Sequence, residues 1–274
     1  DKTGKPFFLA MGFFRPHTPY VAPTHYAKLY PLEKIMPLME KSGDRNDIPS
    51  LALHDRPHQR ELSISKRKEI IQAYYASVTL MDACVGKLMD ALDELKLTEN
   101  TIVVFFSDHG YHLGHHGLWQ KSDLFEGSAR VPMIISVPGA KQVGKKTASL
   151  VELIDLYPTL SELCGLDKPR HLKGKSLVPV LRDSTKSVRE AAFTVTRARG
   201  KSPKKLGGQK PLGRTIRTDR YRYTEWGQDG KHGVELYDYK TDPEEYINLA
   251  KRKGNDSLVK LMQTKLHATR SYTR

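Results

Sequence analysis

Apolar positions along the chain fall into two kinds of run. Short uninterrupted stretches at Phe7 to Gly12, Thr101 to Phe106 and Val131 to Val137, each bounded by turn residues, predict strands covered on both faces. Between the first two, residues 66–95 place Ile71, Tyr74, Val78, Met81, Val85, Leu88, Leu92 and Leu95 at spacings of three and four, which predicts one long helix with a single apolar stripe. Cys84 falls on or beside that stripe and reads as packing. A second helix is predicted over residues 151–164, with Gly165 as its stop. Strands alternating with helices imply a mostly parallel sheet with helices on its faces.

From about residue 186 the texture changes. Ala192 to Val195, Arg214 to Trp226 and Val234 to Asp238 set isolated apolar residues among charges, as in short antiparallel strands. The expected fold class is therefore α/β, with a mostly parallel sheet flanked by helices over 1–185 and a small C-terminal α+β subdomain with an antiparallel sheet over 186–274. Asp242-Pro243-Glu244-Glu245 places an acceptor, a proline and a glutamate where a helix start wants them. Arg197 to Gly213, rich in Lys, Gly and Pro, reads as a mobile loop, and the irregular texture of residues 38–65 marks a functional or disordered connection.

Composition narrows the classes. The 274 residues carry 45 Lys and Arg against 31 Asp and Glu, with 38% hydrophobic residues, the profile of a water-soluble globular protein. No apolar run approaches the roughly 20 residues that span a bilayer, and no secretory leader is legible at Asp1 to Pro6. Two cysteines permit at most one disulfide, so the fold depends on a hydrophobic core. Residues 186–214 hold nine Lys and Arg against Glu190, and residues 251–274 hold seven against Asp256; together they account for the whole net charge of +14. Such local basicity attracts a polyanion. The same segments also read as solvated loop and tail, and no aromatic interleaving or nucleic-acid motif supports DNA or RNA over a sulfated polysaccharide as the polyanion.

The chemistry concentrates between Ser107 and Lys121. In an open α/β sheet, ligands bind beyond the carboxyl ends of strands, and this polar, glycine-punctuated segment directly follows a predicted strand. Asp108 offers a hard anionic oxygen and His109 a neutral nitrogen, a mixed pair able to share a divalent cation. The same residues also read as a simple Asp-His-Gly turn, and His109, His112, His115 and His116 as a tract binding zinc adventitiously.

Ser107-Asp108-His109-Gly110, with Leu113-Gly114, His116-Gly117, Trp119 and Lys121, resembles the second metal-binding loop of the type I sulfatases, in the alkaline phosphatase superfamily. Gly12 to Pro19 is similar to that family's Gly-x-x-[Lys/Arg]-Pro-His-x-Pro segment, and Glu152 to Leu160 to its later helix. Leu236-Tyr237-Asp238 with Thr241 to Glu245 and Asn248-Leu249 resembles its C-terminal part, and iduronate-2-sulfatase-like enzymes are the nearest suggestion. The resemblance implies a sulfuric ester hydrolase acting on a sulfated carbohydrate, exported to the periplasm or secreted. It implies that Asp108 and His109 complete a site for one divalent cation, usually Ca2+, and that His17 and Lys121 contact the sulfate group as catalytic and substrate-binding residues. Without it, His17 reads as a loop histidine beside prolines and Lys121 as a solvated lysine. Two departures bear on substrate preference: His115 stands where relatives often carry Glu, and Phe14 where some carry His.

The family's nucleophile, a formylglycine made within Cys/Ser-x-Pro-x-Arg, has no counterpart here, since Cys84 precedes Val-Gly-Lys and Cys164 precedes Gly-Leu-Asp. Its early Asp-Asp pair is absent too. The expectation is a fragment, inactive by itself, that lacks the N-terminal catalytic portion. The alternatives are a metal-dependent phosphodiesterase or phosphonate hydrolase of the same superfamily, and a non-catalytic module that binds sulfated glycans.

Overall fold

The computed structural model describes residues 4–53, 56–198 and 210–268. They form two compact units, residues 1–37 with 62–100, and residues 38–61 with 101–274.

The first unit is organised around helix α1, Ile64–Glu94. Ser63 caps it, its side chain accepting from the Lys66 backbone N–H at 3.2 Å. The apolar stripe turns inward over Ile71 and Ala76, both buried. The Tyr30 hydroxyl meets Thr79 at 2.6 Å and the Gln72 amide donates to the Tyr30 carbonyl at 2.8 Å, which fixes the preceding loop against the helix. Lys96, in the left-handed region at φ 57°, ends the helix. Phe7 to Gly12 is not a strand: no neighbouring strand hydrogen-bonds it among the described residues, and Phe8 is 85% exposed. Apolar character alone does not make a strand when the ladder lacks a partner.

The second unit contains β1, Val103–Phe106, and β2, Met133–Ser136, paired antiparallel with Phe106 opposite Met133. The helix-strand alternation predicts parallel neighbours, but the segment joining these strands holds only two helical turns, His115–Gly117 and Glu126–Ala129. A parallel pairing requires a crossover that returns the chain to the same end of the sheet, usually through a helix, and residues 107–132 contain no such helix. A capping box between Glu152 and Asp155 opens the single turn Leu153–Asp155, which leads into helix α2, Leu156–Leu163; the helix starts later than the expected 151–164 and ends before Gly165 as predicted. Arg189 pairs with both acidic residues of that box, tying the helix start to the strand that follows.

That strand opens a four-stranded antiparallel sheet of order β3-β4-β5-β6: Ala191–Arg197, Leu212–Thr218, Tyr221–Trp226 and Val234–Asp238. The stretch Arg214 to Trp226 is thus a hairpin rather than one strand. The Thr218 hydroxyl donates to the Tyr221 carbonyl and accepts from the Tyr221 N–H across the turn, both at 3.1 Å, and Arg220 forks onto Asp238 at 2.9 and 2.7 Å. Both sheet faces are covered. Ile216, Tyr223 and Leu236 pack with Met262 and Leu266 of α3, Asp256–His267, while Trp226 and Tyr237 pack with Leu118, Leu124 and Phe125 from the loop after β1. Each such side chain fully buried contributes roughly 1.5–3 kcal/mol, so the candidate site rests on a firm floor.

The expected helix at Asp242 does not form. The Asp242 carboxylate accepts from the backbone N–H groups of Tyr246 and Ile247, and Glu245 adopts φ 61°, which interrupts helical geometry. The described residues of 38–61 are irregular apart from single turns at Asp44–Asn46 and Pro57–Arg60. The expected mobile loop at 197–213 falls mostly on residues 199–209, outside the described residues. Cys84 and Cys164 are free thiols, and no helix among the described residues is long and apolar enough to cross a membrane.

Candidate functional site

The site grows from the end of β1. Ser107 donates its hydroxyl to the His109 carbonyl at 2.9 Å, and the His109 backbone N–H donates to Asp108 Oδ1 at 2.9 Å, so the first turn is locked locally. His109 Nδ1–H donates to the Gly110 carbonyl, leaving Nε2 facing Asp108 Oδ2 at 3.5 Å. The Asp108 side chain is 82% exposed. A carboxylate oxygen and an imidazole nitrogen are thus held side by side and accessible, the donor types that suit one divalent cation as two of its ligands. Among the described residues, no set of three or more His, Cys, Asp or Glu is arranged to hold a metal.

Beyond Gly110 the chain folds back on itself. His112 N–H donates to the Gln120 carbonyl and Gly114 N–H to the Leu118 carbonyl, both at 2.8 Å, so Asp108 and His109 lie at the foot of one arm and Lys121 at the foot of the other. The tip needs Gly114 at φ 111° and Gly117 at φ 67°. A Cβ at Gly117 would lie 2.2 Å from the Arg60 guanidinium, so a larger residue there would displace the Arg60–Glu40 pair as well as strain the backbone. Buried His116 bonds Asp44 at 3.0 Å, and His115 bonds the Glu244 carbonyl at 2.9 Å. Burial, then the neighbouring His116, lowers the His115 pKa. Trp119 is buried, its carbonyl accepting from Gln59 and Tyr111.

The four histidines therefore do not converge on one ion; each meets a different partner, His112 taking Asp123. Lys121 is half-buried and followed by Ser122 at φ 75°, and no ion pair engages it among the described residues. His17 lies in the first unit. Its Nδ1–H donates to the Thr18 carbonyl at 2.7 Å, which leaves Nε2 as the nitrogen for a ligand. Arg15 stiffens the loop by donating to the carbonyls of His17 and Pro19, and a hollow of about 290 Å³ lined by Gly12 to Arg15, Leu80, Met81 and Cys84 adjoins it.

Sequence reasoning did not find Asp44, Asp123 or Glu245. Asp44 lies 72 residues from its histidine in an irregular segment that offers no periodic signal. Glu245 looked like a helix-start residue, whereas it joins Arg222, Glu126 and Tyr239 in a buried network beneath the loop.

Comparison with known proteins gives the family. The sulfatase family model matches residues 1–166, and that of the N-sulphoglucosamine sulphohydrolase C-terminal region matches residues 114–272. A sulfatase of Formosa agariphila is 36% identical over 274 residues, covering 97% of this chain and 51% of the relative. Human iduronate 2-sulfatase is 36% identical over 206 residues, covering 61% of this chain and 37% of the relative. A protein solved with its substrate D-glucosamine-2-N,6-O-disulfate superposes with a TM-score of 0.67 at 28% identity, covering 76% of this chain and 42% of that one. The fold alone is shared with a phosphonate monoester hydrolase of Silicibacter pomeroyi, at a TM-score of 0.83 and 22% identity, over 95% of this chain and 55% of that one. The chain spans about half the length of the sulfatase from Formosa agariphila, and less of the human enzyme. With family matches that together run from residue 1 to 272, and a relative 36% identical over 97% of this chain, the chain belongs to the type I sulfatase family and is similar to iduronate 2-sulfatase.

Proposed function

We propose that this chain forms part of a sulfuric ester hydrolase that cleaves a sulfate from a sulfated carbohydrate, in the manner of iduronate 2-sulfatase. Residues 1–185 supply catalytic-domain elements and residues 186–274 the subdomain that floors the loop. The observation that carries the reading is the Asp108 carboxylate within 3.5 Å of the His109 imidazole, on a folded-back loop whose other arm carries Lys121.

Asp108 and His109 are two ligands of a divalent cation, calcium by family likeness, and that ion when bound supplies positive charge against sulfate oxygens. Lys121 adds a permanent cation that binds the anionic ester and opposes charge gathering on its oxygens as the S–O bond breaks. His17, through Nε2, delivers a proton to the leaving alkoxide, which takes the bonding electron pair. The 274 residues contain no Cys/Ser-x-Pro-x-Arg, so the nucleophile and the remaining cation ligands come from outside them, and these residues alone turn over no ester. The basic segments 186–214 and 251–274 draw in polyanionic substrate.

The test is sulfate release by a catalytically complete protein carrying this chain, supplied in parallel with 4-nitrophenyl sulfate, 2-O-sulfated uronate disaccharides and phenyl phosphonate esters. Preference for the sulfated sugar supports the reading; hydrolysis confined to phosphonates overturns it.

A further inference from the structure

Asp123 is fully buried, yet it lies two residues beyond Lys121 and takes no part in the chemistry above. Its Oδ1 accepts from His112 Nε2 at 3.0 Å and from the Phe125 backbone N–H at 3.1 Å. Oδ2 accepts the Ser128 hydroxyl at 2.9 Å, and the Ser128 carbonyl in turn accepts the Gly110 backbone N–H at 2.9 Å. The circuit is closed: Gly110 and His112 belong to the arm of Asp108 and His109, while Asp123 and Ser128 follow the arm of Lys121. Packing around it leaves little slack. A Cβ on Gly110 would lie 2.1 Å from the Gly127 carbonyl oxygen, and one on Gly127 would lie 2.5 Å from His112 Cε1. Burial raises the Asp123 pKa, but the charge of His112 and three hydrogen bonds outweigh it and leave it below the usual carboxylate range.

We propose that the buried His112–Asp123 pair is the positioning device that sets the separation between the cation ligands Asp108 and His109 and the sulfate-binding Lys121. The inference rests on the reading of those three residues given above. Neither member touches substrate. Their geometric advantage is that one buried, charge-assisted bond links both arms close to their feet, where a small displacement acts on the reacting groups directly.

Two variants break the device in different ways. Asp123→Asn removes the negative charge and one of the two acceptor oxygens, so that either Ser128 or the pair His112 and Phe125 loses its acceptor; Gly127→Ala leaves every polar group in place and pushes the His112 ring aside. In the 274-residue chain, hydrogen exchange at the Gly110 and His112 amides is expected to rise at least tenfold in both variants, with α1 amides unchanged. In the catalytically complete protein, calcium affinity and kcat on a sulfate ester are expected to fall roughly ten- to a hundredfold well below the melting temperature, and the double variant to lose no more than the worse single one. Wild-type amide exchange, or kcat and calcium affinity within twofold of wild type in folded variants, overturns the proposal. Should the wild-type protein release no sulfate, the sulfatase reading fails, while amide exchange and calcium affinity still decide whether the pair positions the loop.

Discussion

The carboxylate of Glu235 accepts the indole Nε1–H of Trp226 at 2.8 Å and the Tyr237 hydroxyl at 3.2 Å, inside the apolar cluster that floors the site loop. Desolvation is the main cause that pushes its pKa up to about 7, and the donors and nearby Arg222 only partly offset it. The folded state therefore holds this proton more tightly than the unfolded chain does. Stability is fully present below about pH 4.5, falls as pH rises, and levels off above about 7, with a total loss on the order of 3 kcal/mol. Melting temperatures of wild type and Glu235→Gln at pH 5 and pH 8 check this. The Gln variant is expected to gain at pH 8 and to flatten the profile; parallel profiles defeat the assignment.

Arg222 presents the opposite case, a buried charge that is paired. It meets Glu245 at 2.5 Å and Glu126 at 3.1 Å, and it bonds the Tyr239 hydroxyl. The left-handed backbone of Glu245 brings that carboxylate into the network, where it also accepts the Glu126 backbone N–H at 2.8 Å. Arg222→Met leaves the buried Glu245 carboxylate without its counter-ion, while Glu126 keeps Arg217 at 3.7 Å and Arg130 at 4.0 Å, and is expected to cost roughly 3–5 kcal/mol in urea unfolding. Adding Glu245→Gln should recover part of that loss, and a double variant worse than the sum of the singles counts against the pairing.

What the sequence showed and hid follows from the range of each interaction. The α1 stripe repeats from Ile71 to Leu95 and needs only local geometry, so it is legible; so is the adjacency of Asp108 and His109. The hairpin at Asp219-Arg220 was invisible because no glycine, asparagine or proline marks it: the Thr218 hydroxyl and the Arg220 fork onto Asp238 supply the turn chemistry instead. Asp242 was misread because a side chain that caps a helix caps an irregular turn equally well. The partners of His112 and His116 were out of reach, since burial decides which carboxylate a histidine meets.

Exposed apolar side chains on the small sheet carry a prediction about association. Phe106 is 49% and Ile134 62% exposed on paired strands, and four-residue strands with open edges invite further pairing. The 274-residue chain is expected to self-associate at micromolar concentration, and Ile134→Lys to shift it toward monomer without lowering the melting temperature. Sedimentation velocity showing monomer for the wild type at all concentrations removes this assignment.

The separate roles of Lys121 and Asp108 can be distinguished in a catalytically complete protein. Lys121 is half-buried with no ion pair among the described residues, so Lys121→Ala should leave the fold intact. If its charge acts on the sulfate oxygens, turnover on sulfate esters falls on the order of a hundredfold, the typical cost of one electrostatic donor aimed at developing negative charge. If Asp108 is a cation ligand, Asp108→Ala acts on the ion instead. Its backbone partner His109 loses a local hydrogen bond, the remaining ligands lose part of their counter-charge, and calcium binds less tightly. Since a ligand stabilises the folded state according to its concentration over its dissociation constant, the rise in melting temperature with added calcium should shrink along with activity. Lys121→Ala keeps that calcium response while losing rate. Wild-type turnover and an undiminished calcium response in both variants would make Asp108 a turn residue and Lys121 a surface residue.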